Sequence, residues 1–147
     1  MEGRRYIVNV EAFVYHEGRY LMIVRGATEE IAPGTLTPPG GKVDAVGLVQ
    51  DVLEKTLRRE VLEEAGVEVE DDVAYVESHS FDASDVTIVD LVFLARYRSG
   101  EPSPADAEEV AGIEWLTYDE VMADSRAMPW TRESLKRAEA VRRARGW

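Results

Sequence analysis

Glu60, Glu63 and Glu64 stand at i, i+3 and i+4, so a helix through them sets three carboxylates on one face. Like charges at these spacings destabilise a helix. A helix that only had to be soluble would pair them with Lys or Arg one turn away. Arg59 is the one cation close by, and it does not neutralise three acids. Two readings are open. The acids form a solvated face, or they hold a hard divalent cation, which is bound through carboxylates, waters and substrate phosphates.

Upstream lies Pro38-Pro39-Gly40-Gly41-Lys42-Val43. Prolines followed by paired glycines predict a stiff, sharp turn whose backbone approaches a ligand closely. Taken together, Gly41, Asp51 and Arg59 to Val67 resemble the signature of the Nudix hydrolases. That box reads Gly, five residues, Glu, seven residues, then Arg-Glu-(apolar)-x-Glu-Glu-x-Gly-(apolar). Arg59, Glu60, Val61, Glu63, Glu64, Gly66 and Val67 match its second half at every specified position. The first half departs from it. Nine residues separate Gly41 from the acidic position, which is Asp51 rather than Glu, so Asp44 to Leu48 reads as a loop carrying a four-residue insertion. Asp51 with Glu54 also reads as a capping box, its carboxylate accepting from the first helical N–H groups.

The elements that must position these residues are legible in outline. With 147 residues, 45% of them hydrophobic, the chain predicts one domain, residues 1–147, with a real core. There is no cysteine, which removes disulfides, thiol nucleophiles and Cys-based zinc sites. Met1 to Arg5 leads into no long apolar run, so no signal peptide is expected. No stretch reaches the roughly 20 apolar residues of a membrane helix. A soluble cytoplasmic protein is the expectation, with no membrane partner. The formal charge of −12 argues against a nucleic-acid partner, because phosphate contacts need Lys and Arg. It also sets a problem for a polyphosphate substrate, which a metal ion solves.

Tyr6 to Tyr15 and Arg19 to Arg25 read as a β-hairpin turning at His16-Glu17-Gly18, with His16 exposed and the second strand buried on both faces. Gly26 to Thr37 is a loop. Asp51 to Ala65 is a helix whose apolar arc is Leu53, Leu57, Val61, Leu62 and Ala65, capped by Gly66. Val67 to Val69, Val73 to Ser80 and Thr87 to Tyr97 read as strands, and the apolar run Val86 to Leu94 as a central one. His79 reads as strand packing or surface. Ser99 to Gly112 is expected to be a loop, and Ile113 to Leu116 a short strand. Thr117 caps a helix from Tyr118 to about Ala123, and Thr131 opens a last helix to about Arg145.

The resemblance implies an α/β fold, the Nudix α/β/α sandwich with a mixed β-sheet between helices. It implies Mg²⁺ as cofactor, with Mn²⁺ able to substitute, held by Glu60, Glu63, Glu64, Glu109 and the carbonyl of Gly41, with Glu108 the second choice to Glu109. Glu60, Arg59 and Glu64 are its catalytic residues, Arg59 orienting the glutamates. Arg25 and Lys42 are its substrate-binding residues. The implied activity is hydrolysis of a phosphoanhydride bond in a nucleoside diphosphate linked to another moiety, a small-molecule nucleotide. The marks of the ADP-ribose and dinucleoside polyphosphate subgroups are missing around Asp82 to Asp85. By elimination a nucleoside triphosphate, an oxidised one such as 8-oxo-dGTP included, is the first expectation. An ADP-ribose or nucleotide-sugar pyrophosphatase is an alternative. So is a non-catalytic sensing domain, although such domains usually lose box glutamates and this chain keeps three. An isomerase on the same fold would need a cysteine. Members are often dimers, so a homodimer is compatible with the family.

Overall fold

A computed structural model describes residues 3–147. Its elements are β1 (Arg5–His16), β2 (Arg19–Arg25), β3 (Leu36–Thr37), β4 (Gly40–Lys42), α1 (Val52–Ala65), β5 (Glu68–Val69), β6 (Ala74–Ala83), β7 (Val86–Ser99), β8 (Val110–Leu116), α2 (Tyr118–Ala123) and α3 (Pro129–Arg145). The sheet runs β3-β2-β1-β7-β5, with β4 on β1, β8 on β2 and β6 on β7. β1 and β7 are parallel, whereas the other pairs are antiparallel, so the sheet is mixed. β7 lies inside it between β1 and β6, as its apolar run requires.

The two-residue period of the strands sorts side chains into two cores. Val10, Ala12, Val14, Leu21 and Ile23 point to one face and pack with Leu57, Val61 and Ala65 of α1. Phe13, Tyr20, Met22 and Leu94 point to the other and pack with Val121, Leu135 and Ala138 of α2 and α3. That is an α/β/α sandwich. The hairpin β1–β2 turns through Glu17 and Gly18, both at positive φ, which suits a two-residue loop.

One edge of β1 serves two partners. Val14 to His16 pair with β2, Asn9 to Glu11 pair with β4, and the Ala12 N–H donates to the Pro39 carbonyl between them at 2.9 Å. β2 and β4 therefore part at Ala12, and the gap between them opens a cleft beneath α1.

Several local expectations are corrected. Gly40 and Gly41 are strand residues, not a turn. Glycine is needed because a Cβ at Gly40 would run into the Val10 backbone, and one at Gly41 into the Glu60 side chain. Asp51 sits at the helix N-cap but in the left-handed region at φ 53°, and its side chain makes no cap hydrogen bond, so the capping box is not formed. Leu62 is on the solvent side of α1 at 46% exposure. β8 starts at Val110 rather than Ile113, because Val110 and Gly112 pair with Arg25 and Val24. α3 begins at Pro129, whose fixed φ suits a first helical residue, and Thr131 is buried within it. His16 is not a bare turn residue. It pairs with Arg19 and stacks on Tyr97 at 4.5 Å between ring centroids. Thr117 does cap α2, in a capping box with Glu120.

Candidate functional site

The helix α1 presents its acids to two adjoining clefts. Successive residues turn by about 100°, so Glu63 lies to one side of Glu60 and Glu64 to the other. A cleft of about 480 Å³ is lined by Arg25, Glu29, Gly40, Gly41, Lys42, Glu60, Glu64 and Glu109. Its neighbour, about 820 Å³, is lined by Tyr6, Ile7, Val8, Lys42, Asp44, Arg59, Glu60 and Glu63. Glu60 and Lys42 border both. One cleft thus holds Glu60 and Glu64 of α1 with Glu109 and Gly41, while Glu63 stands exposed in the next.

Each side chain is positioned by identifiable contacts. The Glu60 carboxylate rests against Gly41, in the space a Cβ would fill. Arg59 donates to Glu60 Oε1 at 3.0 Å and to the Lys42 carbonyl at 3.3 Å, tying α1 to β4. Gly66 closes α1 at φ 76°, its N–H donating to the Leu62 carbonyl. Glu109 is held through its carbonyl, which accepts from the Gly26 N–H at 2.9 Å just beyond Arg25. Glu108 contributes backbone only: its N–H bonds to Asp106 and its carbonyl packs on Gly26. Arg25 reaches the cleft from the end of β2, and it is occupied there, donating to the Ile31 carbonyl at 2.9 Å and to Glu29 at 3.2 Å. Lys42 is exposed at the rim.

The electrostatics of the cleft follow from burial and crowded acids. Burial pushes the Glu64 carboxyl up to about 7, with the negative charges of Glu60 and Glu109 adding to it, while the Gly40 N–H and Arg25 pull the other way. A carboxyl so crowded gains most from a cation among the acids. Carboxylates and a backbone carbonyl are the kind of oxygen donors that suit a hard divalent ion. Among the described residues no three His, Asp or Glu side chains already stand close enough together to hold a metal ion. Glu60 and Glu64 line the cleft from α1, and Glu109 lines it from the residue before β8.

Sequence reasoning missed a second polar group on the α3 side of the sheet. Asn9 Nδ2 donates to Asp90 Oδ1 at 2.8 Å, and His79 Nε2 stands 3.2 Å from Asp90 Oδ2. His79 Nδ1 stands 3.4 Å from Glu77, which also takes Ser134 Oγ at 2.8 Å and Arg137 at 2.8 Å. Glu11 joins this group. Burial and the Asp90 carboxylate hold its carboxyl well above the usual range, with Glu64 adding to the effect. The signal was available: Asn9, Glu11 and Asp90 are polar residues at inward parity in otherwise apolar strands.

Among the described residues no helix is long and apolar enough to cross a membrane. No curated protein matches the chain. Solved structures do. It is similar to a MutT NUDIX hydrolase from Burkholderia pseudomallei at 27% identity and TM-score 0.75, over 90% of this chain and 98% of that one. It is similar to a MutT protein from Methanosarcina mazei Go1 at 20% identity and TM-score 0.76, over 96% and 98%. A NUDIX hydrolase from Nitrosomonas europaea matches at 18% identity and TM-score 0.76, over 93% and 90%. The family model described as the NUDIX domain matches residues 5–138, from the first strand through most of α3. With the helix acids, the Gly41 seat and the sandwich all present, the chain belongs to the NUDIX family and is a Nudix hydrolase.

Proposed function

We propose that this hydrolase cleaves a phosphoanhydride bond in a nucleoside diphosphate linked to another moiety, with Mg²⁺ as cofactor and a nucleoside triphosphate, oxidised forms included, as substrate. One observation carries the reading: Glu60, Glu64 and Glu109 share a cleft with Arg25 and Lys42. An acidic floor beneath a basic rim suits a polyphosphate that arrives with its cation. We take the chain as one domain acting in the cytoplasm on a small molecule.

In this reading Glu60, Glu64, Glu109 and the Gly41 carbonyl would hold the ion, with Glu63 reaching it from the neighbouring cleft. When bound, the ion supplies Lewis-acid polarisation of the phosphoryl oxygens and of an attacking water. The rest falls to the chain. Arg25 and Lys42 neutralise phosphate charge, Arg25 giving up Glu29 to do so. Arg59 holds Glu60 in one orientation by a charge-assisted hydrogen bond. The water oxygen forms a bond to phosphorus as the bridging P–O bond breaks. Its proton passes to a carboxylate of the cleft, Glu60 being the one fixed by both Arg59 and Gly41. The bridging oxygen leaves as a phosphate, and a phosphorylated product remains on each side.

The test is release of phosphate or pyrophosphate with Mg²⁺ from a panel: the four dNTPs, 8-oxo-dGTP, ADP-ribose, NADH and a diadenosine polyphosphate. Turnover of one class by wild type, absent in Glu64→Gln, supports the reading and identifies the class. Equal turnover by the two proteins would sink the metal assignment.

A further inference from the structure

Arg25 meets the reaction cleft already engaged by its own loop. The chain leaves β2 at Arg25 and enters β3 at Leu36, and backbone closes the neck between them. The Arg25 N–H donates to the Thr35 carbonyl at 2.9 Å, and the Gly34 N–H donates to the Arg25 carbonyl at 3.0 Å. The Arg25 side chain folds back into the loop, its Nε donating to the Ile31 carbonyl and a terminal nitrogen to Glu29 Oε2. Glu29, Glu30 and Ile31 line the same cleft as Glu60, Glu64 and Glu109. Arg25 stands close enough to the α1 acids for its charge to act on Glu64.

Glu29 differs in role from the other acids of this cleft. Glu60, Glu64 and Glu109 face the place proposed for the ion, whereas Glu29 takes up a cation that the phosphate chain needs. A carboxylate on a guanidinium uses the same N–H donors, the same charge and similar distances as a phosphoryl oxygen. The loop does not depend on the pair for its shape. Besides the neck, the Glu29 N–H donates to the Gly26 carbonyl at 3.2 Å and Thr35 Oγ1 to the Ala32 carbonyl at 2.7 Å. The paired side chains are 31% and 26% exposed, a setting in which an ion pair contributes little to stability.

We propose that Glu29 is a built-in competitor of the substrate: it holds Arg25 in the free enzyme, and a phosphoryl group of the nucleotide exchanges with it. The inference rests on the hydrolase reading and adds to it a residue, acting through Arg25, that sets affinity for the phosphate chain. A phosphoryl group carries more charge and more acceptor oxygens than a carboxylate, so it displaces Glu29. The displacement weakens the apparent affinity, because only molecules with Arg25 released accept the phosphate. For a partly exposed pair that factor is about 2- to 5-fold. On exchange the Ile31 carbonyl and Glu29 both lose their donor while the neck bonds remain, so the loop shifts about its neck rather than unravelling. When product leaves, Glu29 takes Arg25 back.

The test compares wild type, Glu29→Gln and Glu30→Gln. Glu30→Gln removes the same charge from the same cleft, and the Arg25 hydrogen bonds bypass it. The first readout is kcat and KM for the nucleotide that turns over. The second is calorimetric binding of methylenediphosphonate with Mg²⁺, a two-phosphate chain that is not hydrolysed. The third is the Arg25 Nε–H resonance in arginine-labelled protein, assigned by its loss in Arg25→Lys. Glu29→Gln is expected to lower KM and Kd about 2- to 5-fold while kcat moves less, and Glu30→Gln to move both much less. The Arg25 resonance is expected to shift in free Glu29→Gln, and in wild type on saturation with the diphosphonate. KM and Kd that are unchanged or raised in Glu29→Gln, or lowered equally in Glu30→Gln, overturn the competitor. So does an Arg25 resonance that stays in place at saturation. If turnover vanishes in Glu64→Gln while Glu29→Gln matches wild type, the hydrolase reading stands and the competitor falls. If no nucleotide is hydrolysed but the diphosphonate binds more tightly to Glu29→Gln and moves the Arg25 resonance, the competitor stands and the hydrolase reading falls. Absence of both binding and turnover overturns both.

Discussion

The carboxylate of Glu60 occupies the space above the Gly41 Cα where any other residue would carry its Cβ. Helix and strand meet there without a side chain between them, which lets the acid of α1 lie against the backbone of β4. Gly41→Ala is therefore expected to push Glu60 aside. The clashing atoms are the far end of a flexible chain, so the stability cost is small, roughly 1 kcal/mol or less. Turnover is expected to drop about 100-fold, since a 1 Å misplacement costs on that order. A thermal melt beside a kinetic assay checks both halves, and an intact rate would show that Glu60 need not sit against Gly41.

Glu64→Gln tests the floor of the cleft. The substitution removes charge and keeps shape, so the α1 core of Leu57, Val61 and Ala65 is untouched. Activity is expected to fall by about 100-fold or more. Mg²⁺ is expected to raise the melting temperature of wild type and to raise that of the variant much less, because a cation bound only by the folded state stabilises it by mass action. Equal shifts in the two proteins would place the ion elsewhere.

Arg59 acts through Glu60. Its side chain is 41% exposed, and the ion pair by itself contributes little to stability. Arg59→Ala is expected to lower kcat about 10-fold, with KM and melting temperature nearly unchanged. Arg59→Lys should recover part of the rate by restoring a donor without the planar fork. A change confined to KM would instead make Arg59 a substrate ligand.

Stability should depend on pH through Glu139. The Arg142 guanidinium holds its carboxyl below the usual carboxylate range, and the hydrogen bond from Tyr20 Oη at 2.6 Å helps. A depressed carboxylate contributes stability that is present above its unfolded value of about 4.3 and is lost as pH falls through its folded value. Glu139→Gln is expected to lower the melting temperature at pH 7 by roughly 3–8 °C, for a loss of about 1–2 kcal/mol. Near pH 3 the difference from wild type should close. A gap that stays constant with pH would mean that the contribution is not ionic.

Gly66 ends α1 in the left-handed region, with backbone oxygens of Glu101 and Ser103 3.2 Å from where a Cβ would stand. Gly66→Ala is expected to cost roughly 1–2 kcal/mol and to lower the melting temperature by about 2–8 °C. Differential scanning calorimetry measures it directly, and a neutral result would show that the end of α1 tolerates a side chain.

Local chemistry made much of this protein readable before folding. The spacing of Glu60, Glu63 and Glu64 follows from helical periodicity, and so do the apolar arc through Leu57, Val61 and Ala65 and the glycine that ends it. The hairpin of β1 and β2 and the cap at Thr117 depend on neighbours a few residues away, so the sequence alone specified them. The expectations that failed depended on residues far along the chain. Gly40 and Gly41 looked like a turn because nothing local says that Val10 and Glu60 will crowd them. Asp51 has the composition of a cap, but the backbone entering α1 takes a positive φ that aims its carboxylate away. The division of the acids between two clefts, the arrival of Glu109 beside Glu64, and the joining of Glu11, Asp90 and His79 each bring together residues from separate strands and loops. Parity told which way such side chains point. Only strand order and register, fixed by burying two apolar faces at once, decided what they meet.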